Sequence, residues 1–232
     1  VGCALVYLVG CCQDLYIVGY RLELPGWLLF SVLVVWVVWM TNLFNFMDGI
    51  DGLVATQSAI VSIVLALWFY QAGASGLAAL NLALAGALVG FSILNWRPAS
   101  VFLGDIGSLT LGIYFAVMCV IGWTTYYLAV EAFVVLFGVM LCDTTVTLSR
   151  RIFRGERWWE AHVGHFYQRL VGLGYNHAQV AMLAAAITLC LSIYGSFVIY
   201  KVGPAWLWIA FGLATLVICG HTVRRKEQTD LN

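Results

Sequence analysis

Aspartates and asparagines gather in one short stretch of an otherwise apolar sequence. The stretch reads Asn42-Leu-Phe-Asn45-Phe-Met-Asp48-Gly-Ile-Asp51-Gly52 and directly follows a long apolar run. The three-residue spacing of Asp48 and Asp51 predicts that their carboxylates share one helix face, and the glycine after each permits a tight turn beside a ligand. An ionised carboxylate costs about 3 kcal/mol at membrane depth. Both are therefore expected either to serve a function or to sit in water at the helix end.

A second polar stretch, 95–108, surrounds a single aspartate. Pro98 predicts the end of one helix, and Gly104 and Gly107 flank Asp105 just before the next apolar run. Asp105 could simply cap that helix. Alternatively it binds a hard cation, because carboxylate oxygens suit Mg²⁺, which keeps several waters and shares its coordination sphere with substrate phosphates.

Histidines and arginines mark a third polar stretch, 150–177. Its arginines are Arg150, Arg151, Arg154, Arg157 and Arg169. They could serve membrane topology, or they could grip phosphate oxygens together with His162 and His165. A closed zinc site at this His-x-x-His pair is not supported, because no Glu or Cys ligand pattern accompanies it.

The same stretch is the only long hydrophilic segment of the sequence. It could be a solvated loop within the domain or a short amphipathic helix on the membrane surface. The lipid-facing aromatic residues of that helix would be Trp158, Trp159, Phe166 and Tyr167. His177 and His221 have no partner in the sequence and are interpreted as interfacial residues.

The composition is that of a membrane protein. Of the 232 residues, 63% are hydrophobic and 9% are charged, whereas soluble domains have about 25% charged residues. The net charge of zero gives no indication of nucleic-acid binding. Long apolar runs without period-2 alternation predict an all-α, polytopic transmembrane helical bundle of about eight helices, forming a single domain over 1–232. The predicted segments are 1–12, 27–44, 53–71, 76–95, 106–123, 128–149, 178–200 and 205–222.

Lysine and arginine predict how this bundle is oriented. With the segments alternating, only Arg21 and Lys201 of these residues lie on the side opposite the three polar stretches. The positive-inside rule therefore places the polar stretches in the cytoplasm. On one helix, Gly86-x-x-x-Gly90 could pack helices within the chain or between two copies in a homodimer.

Three motifs, in this order, resemble signature loops of one enzyme family. They are Asn45-Phe-Met-Asp48-Gly-Ile-Asp51-Gly52, Phe102-Leu-Gly104-Asp105-Ile-Gly107-Ser108 and Ala161-His162-Val-Gly-His165-Phe-Tyr-Gln-Arg. The family comprises the polyprenyl-phosphate N-acetylhexosamine-1-phosphate transferases, the superfamily of the MraY and WecA enzymes, also classed as glycosyltransferase family 4. The third motif is most similar to the WbpL-like branch, which initiates O-antigen synthesis.

The resemblance implies a reaction at the cytoplasmic face of the bacterial inner membrane. Undecaprenyl (polyprenyl) phosphate attacks the β-phosphorus of a UDP-N-acetylhexosamine, UMP leaves, and a lipid-linked diphospho-sugar forms. Asp105 matches the ligand of Mg²⁺, which Mn²⁺ could replace. The implied catalytic residues are Asp48, Asp51, His162 and His165. The implied substrate-binding residues are Asn45, Asn95, Arg150, Arg151 and Arg169.

The resemblance is incomplete at one point. Family members carry an adjacent Asp-Asp pair in an earlier cytoplasmic loop, and this sequence has no such pair. Gln13-Asp14 falls on the predicted outer side, and Val1 already lies inside an apolar run. We therefore expect that N-terminal helices bearing the pair are missing from this sequence, and that the fragment alone could be inactive.

Two other classes of protein remain open on the residues alone. An intramembrane aspartyl protease uses two membrane aspartates, and Leu103-Gly104-Asp105 approaches the sequence around one of them. A transporter would have helices broken at mid-membrane, whereas the polar residues here cluster at one edge. A magnesium requirement would separate the transferase from the protease.

Overall fold

The computed structural model describes residues 14–17, 20–157 and 164–230, which form two short strands and nine helices. Strands β1 (Asp14–Ile17) and β2 (Tyr20–Glu23) pair antiparallel. The helices are α1 (Gly26–Met47), α2 (Leu53–Gln71), α3 (Ser75–Asn95), α4 (Gly104–Tyr126), α5 (Val130–Leu136), α6 (Gly138–Phe153), α7 (Phe166–Gly172), α8 (His177–Ile199) and α9 (Ala205–Asp230). The predicted all-α membrane bundle is therefore confirmed, with the β1–β2 pair as a small addition.

Six of these helices, α1–α4, α8 and α9, are long and apolar enough to cross a membrane, and α5 with α6 could supply a seventh span. These elements coincide within a few residues with all but one of the predicted segments. The remaining segment, 1–12, lies outside the described residues. Hydropathy locates the spans well because lipid requires about 20 apolar residues in each.

The prediction of one continuous helix over 128–149 is wrong. Helices α5 and α6 meet at Phe137 and are bent by 77° relative to each other. At the bend, the buried ring of Phe137 lies with its centroid 5.7 Å from that of Phe115 on α4 and 6.2 Å from that of Phe44 on α1. The bend follows from this packing, whereas hydropathy registers only that both halves are apolar.

Helices approach one another closely at glycines in the core. A methyl group at Gly112 of α4 would lie only 2.7 Å from the Cα atom of Thr41 of α1. A methyl group at Gly195 of α8 would lie 3.2 Å from the indole of Trp68, whose Nε1 donates to Ser196 Oγ at 3.0 Å. The small residue at the first crossing lets α1 and α4 pack backbone to backbone, and the glycine at the second leaves room on α8 for the Trp68 side chain of α2.

Gly86 and Gly90 of α3 do not lie at a close helix crossing within the described part of the chain. A methyl group at either position would meet nothing within 4 Å among the described residues. Packing among the described helices therefore does not explain this pair, and the homodimer stays a prediction.

Candidate active site

The segment that links α1 to α2, residues 48–52, carries two of the predicted catalytic residues. Because α1 ends at Met47, Asp48 and Asp51 lie in a turn, and the prediction that they share a helix face is wrong. Gly52 explains part of this conformation. Its φ of +79° is left-handed, a region that glycine enters without steric cost.

Asp48 and Asp105 lie close together where α1 ends and α4 begins. Asn45, in the last turn of α1, donates from Nδ2 to Asp105 Oδ1 at 3.0 Å and to Ser108 Oγ at 3.2 Å. Burial, followed by the negative charge of Asp105, raises the pKa of Asp48 to about 6, although a hydrogen bond from the Gly104 backbone partly opposes this shift. The charge of Asp105 thus disfavours the ionised form of Asp48 within one shared site.

This carboxylate pair fits a divalent cation that is bound by protein carboxylates and substrate phosphates together. Among the described residues there is no group of three or more His, Cys, Asp or Glu side chains able to hold a metal, so a closed structural site is not formed there. Mg²⁺, however, is usually held by one or two carboxylates together with waters and substrate phosphates. Asp48 and Asp105 supply that number of carboxylates, and a cation would remove their mutual repulsion.

Asn95 connects the two aspartate-bearing loops. It is buried at the end of α3, where its Oδ1 accepts from the Gly52 backbone at 3.0 Å and its Nδ2 donates to the Val101 carbonyl at 2.9 Å. Its amide thus supports the turn before α2 and the loop before α4. The role in nucleotide binding predicted for Asn95 stays a prediction beside this structural one.

His177 lies beside Asp51, although the sequence suggested no partner for it. His177 Nδ1 is 3.3 Å from the Asp51 backbone nitrogen and 3.3 Å from Asp51 Oδ2. The structure thus supplies a partner that the sequence did not indicate, and the interfacial position of His177 stays a prediction. The two residues are 126 positions apart, a separation across which sequence spacing carries no information.

His165 pairs with a buried aspartate on α6. Its Nδ1 lies 3.1 Å from Asp143 Oδ1, and both side chains are almost completely enclosed. Asp143 also accepts from the backbone nitrogens of Phe166 at 2.8 Å and Tyr167 at 3.2 Å. The Asp143 carboxylate thus holds the first turn of α7 and the ring of His165 together, in the manner of a helix cap supplied by another helix. In the sequence, the only feature that could have indicated this contact is that Asp143 is a single carboxylate within an apolar run.

Tyr167 joins α7 to the aspartate turn. Its hydroxyl donates to the Phe46 carbonyl at 3.0 Å, and a methyl group at Gly49 would overlap that hydroxyl. Burial, followed by the charge of Asp143, raises the pKa of Tyr167, so the hydroxyl stays a donor. The ring of Phe46 also stacks on His165 with centroids 6.2 Å apart. The Phe46 side chain therefore connects His165 to the end of α1, just before the turn that carries Asp48.

Arg150 and Arg169 lie around the ring of Phe166. Their guanidinium carbons are 5.3 Å and 5.0 Å from its centroid, a distance typical of cation–π contact. The expectation that Tyr167 would face lipid is wrong, because Tyr167 is buried. Phe166 is half-buried, and its contact with lipid stays a prediction.

The remaining predicted site residues lie on or beyond the end of α6. Arg151 forms an ion pair with Glu156, with Nε 3.1 Å from Oε2, and donates from Nη2 to the Arg157 carbonyl at 2.8 Å. These contacts fold the start of the 150–177 segment back on α6. His162, Trp158 and Trp159 lie outside the described residues.

Comparison with known proteins identifies the family of the chain. A family model described as glycosyl transferase family 4 matches residues 1–123, which is more than half of the chain and includes Asp48, Asp51 and Asp105. The chain therefore belongs to glycosyl transferase family 4. Its predicted place in the MraY and WecA superfamily is confirmed, and this membership decides against the protease and the transporter.

Individual relatives cover the chain to different extents. It is 30% identical over 192 residues to the probable undecaprenyl-phosphate N-acetylglucosaminyl 1-phosphate transferase of Bacillus subtilis (strain 168), covering 81% of this chain and 52% of that protein. It is 33% identical over 119 residues to the phospho-N-acetylmuramoyl-pentapeptide-transferase of Kosmotoga olearia, covering 49% of this chain and 35% of that protein. A putative glycosyltransferase of Streptomyces coelicolor, SCO3672, is 33% identical over 147 residues, which are 62% of this chain and 36% of that protein.

The chain thus spans about half of the length of the first of these relatives and about a third of the other two. Assignment to the WbpL-like branch and the missing N-terminal helices stay predictions.

Proposed function

We propose that the protein containing this chain transfers a sugar-1-phosphate from a UDP-N-acetylhexosamine to a polyprenyl phosphate such as undecaprenyl phosphate. The observation that carries this proposal is the pair Asp48 and Asp105 at one end of a membrane bundle of family 4, with the Asp105 carboxylate bonded to Asn45. Phosphoryl transfer depends mainly on positioning and on neutralising phosphate charge, which carboxylates and a divalent cation do together.

The proposed reaction is a displacement at phosphorus. An oxygen of the acceptor phosphate forms a bond to the β-phosphorus of the donor, and the bond from that phosphorus to the bridging oxygen breaks. UMP leaves with the bridging oxygen, and the sugar stays on its phosphate as part of a lipid-linked diphosphate. No external base is required for a phosphate nucleophile that is already ionised.

Each residue of the site has a role in this proposal. Asp105, with Asp48 beside it, would hold Mg²⁺ or Mn²⁺, which when bound neutralises charge on the diphosphate oxygens. Asn45 orients the Asp105 carboxylate through the 3.0 Å hydrogen bond. His165, fixed by Asp143, would contact the diphosphate, and His162 is proposed to act with it. Asp51 is proposed as a further catalytic residue, and substrate contacts are proposed for Asn95, Arg150, Arg151 and Arg169.

A lipid acceptor suits the surroundings of Asp105. Phe102 and Ile106, on either side of it in the chain, are 70% and 86% exposed. Apolar side chains beside a carboxylate that handles phosphate would favour a substrate with a phosphate head and a hydrocarbon chain. A soluble acceptor would gain nothing from them.

The proposed site faces the cytoplasm of a bacterial cell, at the inner membrane. The excess of lysine and arginine on that end of the bundle supports this orientation. The proposed pathway is initiation of a cell-envelope polysaccharide of the O-antigen type, and the sequence of the third motif supports it.

The proposal is tested by exchange of radiolabelled UMP into UDP-N-acetylhexosamines, using membranes that contain the intact protein, polyprenyl phosphate and Mg²⁺. Label should enter at least one UDP-sugar, and chelation of the cation should stop the exchange. Absence of exchange with every UDP-N-acetylhexosamine would contradict the proposal.

Asp105→Asn should reduce this exchange by about two orders of magnitude or more, because it removes a cation ligand that contributes several kcal/mol to charge stabilisation. The melting temperature should not fall, since Asp105 is exposed and the substitution removes a charge that disfavours the ionised form of Asp48. Ser100→Ala, at an exposed residue in the loop before α4, is the matched control and should exchange normally. Normal exchange by Asp105→Asn would exclude Asp105 as the essential ligand.

A further inference from the structure

We propose that His177 is a positioning residue of the same active site and holds the Asp51 carboxylate in place through its Nδ1 atom. This inference rests on the proposed function. Neither the sequence motifs nor the comparisons with relatives assign His177 a role. The contact joins the first residue of α8 to the turn between α1 and α2.

The geometry of the contact is specific to one ring nitrogen. His177 Nδ1 lies 3.3 Å from the Asp51 backbone nitrogen and 3.3 Å from Asp51 Oδ2. It can therefore accept from the backbone as a neutral ring or donate to the carboxylate as an N–H. The side chains are 27% and 19% exposed, so the pair is accessible to a ligand yet partly shielded from water.

Position along α8 makes His177 a rigid support. It follows Asn176, whose side chain accepts from the Gln179 backbone while the Gln179 side chain accepts from the Asn176 backbone. This reciprocal cap fixes the helix start at His177. Further along, α8 is bonded to α2 through Ser196 and Trp68.

The turn that carries Asp51 is supported by three neighbouring elements. Tyr167 packs against Gly49, and Asn95 accepts from the backbone of Gly52. Both of these contacts hold backbone. Among the contacts of the described residues, that of His177 is the one that reaches the carboxylate of Asp51 itself. Removing the imidazole should therefore free this side chain without unfolding the turn.

Substitutions at His177 distinguish positioning from mere packing. Asparagine places its terminal oxygen or nitrogen where Nδ1 stands, whereas glutamine places these atoms near Nε2. His177→Ala should lower kcat for sugar-1-phosphate transfer roughly tenfold or more, the effect of a lost hydrogen bond to a charged group, with little change in KM for the UDP-sugar. His177→Asn should recover most of the lost rate, and His177→Gln should not.

The experiment measures kcat, KM and melting temperature for the intact membrane protein and these three variants. His221→Ala, at an exposed histidine of α9, is the matched control and should behave as wild type. Normal kcat in His177→Ala would overturn the inference, and so would equal losses in His177→Asn and His177→Ala. A rate loss that follows a lower melting temperature in all three variants would also overturn it, since that outcome indicates packing alone.

A second measurement separates this inference from the proposed function. If the wild-type protein shows no UMP exchange, the proposed function fails, and the contact is judged by a double-mutant cycle on thermal stability. Asp51→Asn and His177→Ala should then be non-additive, as expected for side chains in direct contact. Additive effects would reject the pairing whatever reaction the protein performs.

Discussion

At the scale of single residues, two like charges placed together dominate the site. Asp48 is held near Asp105 although burial and the neighbouring charge both disfavour its ionised form. Such an arrangement reduces the stability of the ligand-free protein and becomes favourable when a cation binds. Active sites commonly carry strain of this kind, because function and not stability selects the residues.

Asp48→Asn should therefore stabilise the protein when metal is chelated. Because the pKa of Asp48 is raised to about 6 from 3.8, the folded state binds its proton more tightly than the unfolded state. The free energy of unfolding consequently falls as pH rises from about 4 to about 6 and stays low above that range. At pH 8 the variant should melt about 2–4 °C higher than wild type, the shift expected for roughly 1 kcal/mol in a domain of this size.

The comparison should be made by thermal unfolding in detergent with a chelator present, at pH 8 and at pH 4. The advantage of Asp48→Asn should disappear at pH 4, where the wild-type carboxyl is protonated. Added Mg²⁺ should raise the melting temperature of wild type more than that of the variant. A variant that melts at or below the wild-type temperature at pH 8 would show that burial and the charge of Asp105 do not disfavour the ionised Asp48 carboxylate.

At the scale of elements, α7 depends on its neighbours for its existence. It has seven residues, and isolated helices of that length are not stable in water. Asp143 of α6 accepts from its first backbone nitrogens, and Tyr167 attaches it to the aspartate turn. The position of His165 therefore reflects how α6 and α1 hold α7.

Asp143→Ala should lower the free energy of unfolding by about 2–3 kcal/mol, because a buried charged acceptor of several hydrogen bonds is lost. Thr147→Val is the matched control on the same helix. Its hydroxyl lies 3.4 Å from Asp143 Oδ1, and its loss should cost less than about 1 kcal/mol. Chemical unfolding measures both, and equal effects would show that the carboxylate does not hold α7.

Gly49→Ala should displace Tyr167 and impair transfer, because the added methyl group overlaps the tyrosine hydroxyl. Combining it with Tyr167→Phe removes the overlapping oxygen and leaves the nearest ring carbon 3.0 Å away. The double variant should therefore be more active than Gly49→Ala alone, although Tyr167→Phe itself loses a hydrogen bond to Phe46. The test compares initial rates of UMP exchange for the three variants. A double variant with a lower rate than either single variant would refute the contact between Gly49 and Tyr167.

At the scale of the whole molecule, candidate site residues of several helices converge at one end of the bundle. Asn45 and Asp105 join α1 to α4, Gly52 and Asn95 join α2 to α3, and the Asp51–His177 pair adds α8. A site assembled from helix ends can face water while the bundle stays in lipid. The side of the membrane that this site faces then depends on how the whole bundle is oriented.

Cysteine labelling at the two ends of α3 tests this orientation. Ser75 and Ser100 are exposed serines, one at the start of α3 and one just after its end. In a protein whose native cysteines have been replaced, Ser100→Cys should react with an impermeant maleimide only after the cytoplasmic face is opened. Ser75→Cys should react in intact cells. The reverse pattern would place the site outside the cell.

The sequence alone determined where the membrane helices lie and which family the chain belongs to. α2 was predicted over 53–71 and occupies Leu53–Gln71, because a span in lipid needs a long apolar run and such a run is visible in one dimension. Likewise, the spacing of Asp48, Asp51 and Asp105 among glycines sufficed to indicate the family.

Only the tertiary structure decided which side chains act on one another. The bend at Phe137, the cap that Asp143 supplies to α7 and the contact of His177 with Asp51 each join residues from different helices. Periodicity and spacing describe neighbours within one helix or turn. Contacts between helices depend instead on how the packed bundle brings distant segments together, and that is a property of the folded chain in three dimensions.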